Sequence, residues 1–304
     1  MIARLRYCLT MIDPFSPPEC PRFIEMYNQV HVDEKWFNLT QTSSKYYLSS
    51  IEEDPIRTTK SKRFITKVMF LAAVSQPCWD TSRNQWWNGK IGIFPFTYQE
   101  PAKRNSKNRV KGTMETKAMN VDKNAYRKML IEKVIPAIVQ KLPQSLKHRP
   151  IWIQQDNATP HISPHDSDFA QEATKNGFDI RLKYQPPNSP DTNVLDLGFF
   201  NAIQSLQYQE SPKTIDELIV AVNNAFENQT RLNLSKIFLT HQQCMIDIMK
   251  TKGGNGYKIP HMGKDRLERA GKLPTCLSVD QDLIKSVKDI LNNQQEGTVT
   301  AIEQ

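Results

Sequence analysis

Little in this sequence suggests a membrane, a secretory origin or a cofactor loop. The five cysteines, Cys8, Cys20, Cys78, Cys244 and Cys276, are scattered, with no Cys-x-x-Cys pair. Such a set reads as reduced thiols of an intracellular protein, not a disulfide framework or a zinc ribbon. The longest apolar run, Val68 to Val74, falls far short of the roughly 20 residues of a membrane span. The opening MIARLRYCLTMID is too short and too polar for the apolar core of a signal peptide, so sequons such as Asn38-Leu-Thr carry no weight. There is no internal repeat or low-complexity stretch and no clear nuclear-import run. Gly253-Gly-Asn-Gly256 lacks the Lys-Ser/Thr of a phosphate-binding loop and the spacing of a dinucleotide fingerprint, and reads as a turn.

What is present is a chain of 304 residues with 27 aromatic side chains, long enough to bury roughly three quarters of its unfolded surface in one large domain or two. Forty Lys and Arg against 32 Asp and Glu leave a formal charge of +8. Two readings of that excess stay open: an anionic partner such as nucleic acid, or a mildly basic surface without a role.

Val30 to Phe37, Lys45 to Leu48 and Phe64 to Val74 are β-branched, aromatic or continuously apolar and predict successive strands of a buried sheet. Gly89 to Phe96, Ile151 to Gln155 and Ile180 to Tyr184 predict further strands. Helical spacing marks Asn124 to Gln140, with a bend at Pro136. Helices dominate from Asp196 onward. Thr214-x-x-Glu217 opens one that carries Ile215, Leu218, Ile219, Val222 and Phe226. Ser278-x-x-Gln281 opens another with Leu283, Ile284, Val287 and Leu291. The fold class is mixed α/β followed by a helical tail.

Three acids occupy places where such a fold exposes side chains at one end of a sheet. Asp33 lies inside the first strand, where an unpaired charge is costly. Asp156 ends the strand IWIQQ just where a turn must begin. Asp196 starts a helix whose Phe199, Phe200 and Ile203 must dock on the sheet and carry it inward. Three converging carboxylates form an oxygen-rich nest for Mg²⁺ or Mn²⁺, and two such ions suit phosphodiester chemistry. Among 32 acids, however, spacing alone separates such a nest only weakly from surface charge.

The flanking residues say more. HVDEKWF from His31, QQDNATPHIS from Gln154 and PPNSPDTNVLDLGFF from Pro186 resemble the three catalytic blocks of mariner-type DDE transposases. The likeness continues through GKIGIFPF, RNSKNRVKGTMETK, VIPAIVQK and GGNGYKIPHMGKDRLERAGKLP, and so runs from about Val30 to Pro274. The 39 residues between Asp156 and Asp196 are the spacing of the plant-like branch. The resemblance implies an RNase H-like fold, a mixed sheet flanked by helices, with Asp33, Asp156 and Asp196 as catalytic metal ligands for two Mg²⁺ or Mn²⁺ ions. It implies DNA cleavage at transposon ends and transfer of the 3′-hydroxyl to target DNA, and hence a nuclear protein with DNA as its partner and no nucleotide cofactor.

Family members carry a helix-turn-helix region before the first block, whereas 32 residues precede Asp33 here. Residues 1–27 therefore read as the end of a linker. Residues 28–210 read as the catalytic domain, with an inserted basic loop and helix around 97–148, and 211–304 as a helical extension. The alternative is a domesticated, non-catalytic DNA- or protein-binding module on the same fold. A third reading is a nuclease acting on RNA–DNA hybrids.

Lys103, Arg104, Lys107, Arg109 and Lys111 put five positive charges in nine residues. They form either a phosphate-contacting loop or a solvated one, and the loop and tail would serve DNA contact or formation of a homodimer. His161 and His165 have zinc-like spacing, but Pro160 and Pro164 interrupt any helix between them. His161 would order the turn after Asp156 or lie near DNA. Trp36 and Trp152 are expected buried in their strands, with Trp86 and Trp87 less clearly placed.

Overall fold

The first strand, β1 (Gln29–Asn38), alternates its side chains between two cores. Val30 and Val32 enter one; Phe37 enters the other. The second strand, β2 (Lys67–Val74), does the same, with Leu71 and Ala73 on one face and Phe70, Ala72 and Val74 on the other. A strand covered on both faces needs apolar residues throughout, which is why this segment reads as a continuous run. The computed structural model describes residues 1–40, 65–106, 109–175 and 177–300. The strand expected over Lys45 to Leu48, and Lys107 of the basic loop, lie outside the described residues.

The remaining strands are β3 (Cys78–Asp80), β4 (Gln85–Trp87), β5 (Lys90–Pro95), β6 (Thr97–Pro101), β7 (Met114–Ala118), β8 (Ile151–Gln155) and β9 (Ile180–Tyr184). Five of them form a mixed sheet in the order β5-β2-β1-β8-β9. β2 pairs antiparallel with both β5 and β1; β1, β8 and β9 are parallel. The helices are α1 (Ile2–Thr10), α2 (Lys123–Met129), α3 (Ile135–Lys141), α4 (Ser167–Ala173), α5 (Phe200–Glu210), α6 (Ile215–Glu227), α7 (Arg231–Lys250), α8 (Lys264–Arg269) and α9 (Gln281–Thr300). Leu5, Phe200, Val222, Phe238 and Val287, from α1, α5, α6, α7 and α9, cover one face of the sheet. Tyr126, Ile138 and Phe169, from α2, α3 and α4, cover the other. This is the mixed α/β, RNase H-like arrangement expected above.

Local details follow the sequence closely. A five-residue π segment, Leu130–Val134, joins α2 to α3 just ahead of Pro136, which lacks a donor and crowds the carbonyl four residues back. Thr214 caps α6 by accepting from the Glu217 amide, at 3.1 Å. At α9 the cap is Asp280, which accepts from Asp282 and Leu283, so the helix starts two residues past the expected Ser278.

Two placements differ from expectation. Residues 1–27 carry α1, whose Leu5 and Cys8 are completely buried against α7 and α9. Trp36 and Trp152 lie in core strands but face outward. Trp36 is 36% exposed beneath the Lys67 ammonium, and Trp152 lies under Arg181. Trp79 and Trp86 are opposite each other on the β3–β4 hairpin, both exposed, with the Arg231 guanidinium 4.1 Å from the Trp86 ring centre. Trp87, on the other face, is buried.

Candidate active site

Strand register brings the first two acids level. β1 and β8 pair as Gln29 with Trp152 through His31 with Gln154. Continuing that parallel register by two residues sets Asp33 beside Asp156, which follows the last residue of β8. Asp196 arrives from the other side of the chain. It lies in the irregular turn Leu195–Phe199 that leads into α5, and Phe199, Phe200 and Ile203 dock it on the sheet as the spacing predicts. The expected regular helix start is broken at Gly198, whose φ of 126° only glycine adopts without strain.

Asp33 and Asp196 are close enough for each to perturb the ionisation of the other. Burial, and then the charges of Asp196, Glu34 and Asp156, push the Asp33 carboxyl up to about 8. The Glu34 amide, 2.8 Å from Asp33 Oδ1, only partly offsets this. Asp196, exposed at the mouth of the site, is also raised by desolvation, against the pull of Lys35. Asn193 donates to Asp33 Oδ2 and to the Val32 carbonyl, both at 3.2 Å, and ties the turn to β1.

Asp156 behaves in the opposite way. Its Oδ1 meets His161 Nδ1 at 2.7 Å and the Ala158 amide at 2.8 Å, and the histidine holds this carboxyl below its ordinary range. Burial alone would pull the His161 imidazolium down, but its bonds to Asp156 and Glu34 outweigh that and raise it to about 10. Nε2 of the same ring reaches both Glu34 oxygens at 3.1 and 3.2 Å, and the ring stacks on Tyr126 at 4.2 Å. A charged histidine between two carboxylates is thus fixed in place. His161 orders the turn after Asp156; it is 6% exposed, and both ring nitrogens are engaged within the protein. His165 is exposed and separate from this network.

The strand register and the turn into α5 therefore bring the three acids close enough to repel one another: the charges of both Asp196 and Asp156 act on Asp33. Among the described residues, no three His, Cys, Asp or Glu side chains are grouped so as to hold a metal ion. The donor chemistry nonetheless fits a hard divalent cation. The donors are carboxylate oxygens, and their repulsion is relieved by positive charge placed between them.

The basic loop is elsewhere. It forms the end of the β6–β7 hairpin, where Lys103, Arg104, Arg109 and Lys111 are all exposed and Arg109 pairs with Glu115. Thr116 of the hairpin meets Asp216 of α6, which fixes its base.

Four contributors were not singled out in the sequence. Glu34 was readable in principle: strand alternation turns it to the face opposite Asp33, towards His161. Asn193, Tyr126 and Lys35 have no local signature and gain meaning only from the tertiary arrangement.

No protein-family model and no curated protein matches the chain. Solved structures do. The pre-cleavage Mos1 transpososome matches over 84% of this chain and 64% of its own, at 16% identity and a TM-score of 0.57. The Mos1 mariner paired-end complex with Mn matches over 84% and 63%, at 15% identity and a TM-score of 0.56. The Mos1 transposase catalytic domain with Raltegravir and Mn matches over 84% and 95%, at 13% identity and a TM-score of 0.50. At these identities the likeness is one of fold, and it takes in less than two thirds of the first two chains.

Proposed function

We propose that the chain is the catalytic domain of a mariner-like transposase, performing metal-dependent DNA strand cleavage and strand transfer. The observation that carries this reading is the convergence of Asp33, Asp156 and Asp196 at one end of the sheet, with Asp33 raised by burial and by its acidic neighbours. The family-like sequence blocks around those acids and the fold shared with Mos1 structures support it. Asp33 and Asp156 would hold one Mg²⁺ or Mn²⁺ in common, and Asp196 would complete a second position. When bound, such ions supply activation of the attacking oxygen and charge neutralisation at the leaving one.

The protein's own groups have distinct tasks. Asn193 holds Asp33 against β1. His161, itself held by Glu34 and Tyr126, fixes the rotamer of Asp156 and keeps it ionised, ready to accept a cation. Gly198 lets the chain turn so that Asp196 meets Asp33 while Phe199 and Phe200 stay buried.

Mn²⁺ calorimetry alongside nicking of supercoiled plasmid DNA tests this. Metal binding together with Mn²⁺-dependent nicking is the expected result. DNA binding with neither metal affinity nor nicking would instead assign the chain to a non-catalytic DNA-binding module. Preferential cleavage of RNA–DNA hybrids would assign it to a different nuclease class.

The hairpin end is the proposed backbone contact. Replacing Lys103, Arg104, Arg109 and Lys111 together by Gln should reduce the slope of log affinity against log salt by about 3, given roughly 0.9 per neutralised phosphate and the partial engagement of Arg109 with Glu115. An unchanged slope removes the hairpin from the contact surface.

A further inference from the structure

Arg4 lies on α1, a segment that the sequence presents as mere approach to the domain, yet it is 5% exposed. Burying a guanidinium is costly unless its donors are all matched, and here they are. Nη1 donates to Asp191 Oδ1 at 2.7 Å and to Ser189 Oγ at 2.8 Å. Nη2 donates to Asp191 Oδ2 at 2.5 Å and to the Gly254 carbonyl at 3.1 Å, and Nε donates to the Gly253 carbonyl at 3.0 Å. All five N–H groups are used. The Tyr257 hydroxyl completes the set on Asp191.

This explains the Gly253-Gly-Asn-Gly256 turn, which no nucleotide-binding reading accommodates. A Cβ at Gly253 would stand 2.5 Å from the Met1 carbonyl oxygen, so the turn is glycine where the start of α1 presses on it. Its carbonyls then face Arg4.

What Arg4 holds is the approach to the active site. Asp191 sits in the one-turn 3₁₀ helix Pro190–Thr192. The Thr192 carbonyl accepts from Gln154 Nε2 at 2.8 Å, and Asn193, the next residue, donates to Asp33. Asp196 follows three residues later in a turn with non-helical backbone at Leu197 and Gly198. No regular helix fixes Asp196. Its position depends on the anchored 3₁₀ turn before it and on buried Phe199 and Phe200 after it.

We propose that Arg4 is a positioning residue of the catalytic centre: through Asp191 it pins the turn that presents Asn193 and Asp196 to Asp33. The role in catalysis rests on the transposase reading; the mechanical coupling from α1 to the turn does not. α1 and the turn after α7 thereby become parts of the active-site scaffold, about 250 residues apart in sequence.

The test compares the full chain with Arg4→Gln, Arg4→Lys and Asp191→Asn. Amide hydrogen exchange over residues 189–199 should accelerate about tenfold or more in Arg4→Gln and Asp191→Asn, with β8 and β9 unchanged. Arg4→Lys, which keeps the charge and loses the fork, should fall between. The Mn²⁺ concentration for half-maximal nicking should rise about tenfold, on the scale of losing a group that orients a metal ligand, while the rate at saturating Mn²⁺ stays within about threefold of the parent. Unchanged exchange over 189–199 in both variants overturns the clamp, as does acceleration spread evenly over the sheet. Local acceleration with an unchanged Mn²⁺ requirement overturns the positioning role. A parent chain that neither binds Mn²⁺ nor nicks, while its variants still loosen locally, defeats the transposase reading and leaves the clamp established. Should Arg4→Gln fail to fold, Asp191→Asn and Tyr257→Phe carry the comparison.

Discussion

Asp33→Asn is expected to abolish Mn²⁺-dependent nicking, by on the order of 10³-fold, while making the metal-free protein more stable. Both effects come from the same feature. Asp33 lies in a strand against Asp196, with Glu34 and Asp156 near, and burial with these charges lifts its carboxyl to about 8. Its unfolded value lies near 3.9, so from there up to about pH 8 the folded protein must either keep a proton on this group or bear the repulsion. At pH 7 that costs stability, and asparagine removes the cost. Allowing for the imperfect fit of Asn against the Asn193 amide, the gain is on the order of 2 kcal/mol, or roughly 4 °C in Tm. Mn²⁺ should reverse the order by raising the Tm of the parent and leaving the variant unchanged. Thermal melts with EDTA and with Mn²⁺, run beside a nicking assay, check all three points. A destabilised Asp33→Asn variant in EDTA would show that the carboxylate is not under electrostatic strain. Retained nicking would remove Asp33 from the chemistry.

The second large effect is acid lability away from the acids. His31 on β1 and His241 on α7 are completely buried, with ring centres 5.3 Å apart. Burial pushes His241 down to about 3 and His31 well below its usual value, and Lys183 repels the charged form of both. Around them stand Tyr7, 3.4 Å from His241 Nε2, and Gln154, 3.4 Å from His31 Nδ1, neither of which can neutralise an imidazolium. The unfolded chain takes up protons at both histidines below about pH 6.5, and the folded chain does not. Their contribution to stability is therefore full above pH 6.5 and falls with pH below it. The slope is about 1.4 kcal/mol per pH unit for His241, or about 2 kcal/mol between pH 6.5 and 5, and His31 adds to it in the same direction.

Two other groups must be kept apart from this. His161 is raised to about 10, so its contribution is constant below pH 6.5 and is lost only as pH rises towards 10. Asp33 works against the histidines, because its folded form gains a proton over the same range. Urea unfolding between pH 5 and 6.5 in the Asp33→Asn background isolates the histidine slope, and His241→Gln should lower it by about 1.4 kcal/mol per pH unit. A flat profile in that background would mean that one of the buried rings is charged in the folded protein.

Much of the architecture is legible along the chain. The run at Val68 to Val74 is apolar because β2 is covered on both faces. Pro136 marks the irregular joint between α2 and α3, and Thr214 marks the start of α6. The two core strands that precede Asp156 and contain Asp33 are plain from their composition. Each of these is a local constraint, on backbone geometry or on burial over a few residues, and so leaves its mark in a short window of sequence.

The acids show where local reading stops. Sequence places Asp33 in a strand, Asp156 after one and Asp196 before a buried aromatic pair, and it supplies the charge that can hold a cation. Only the parallel register of β1 with β8 brings Asp33 level with Asp156. Only the fold makes Asp33 and Asp196 partners while His161 claims Asp156, so that three similar residues acquire opposite protonation behaviour. The same holds for Glu34, Asn193 and above all Arg4, whose partners lie 185 to 250 positions away. The sequence by itself determined which elements form and which side chains can carry charge. The tertiary structure decided which charges meet, because Coulomb and hydrogen-bond energies depend on distances of a few ångströms that separation along the chain does not encode.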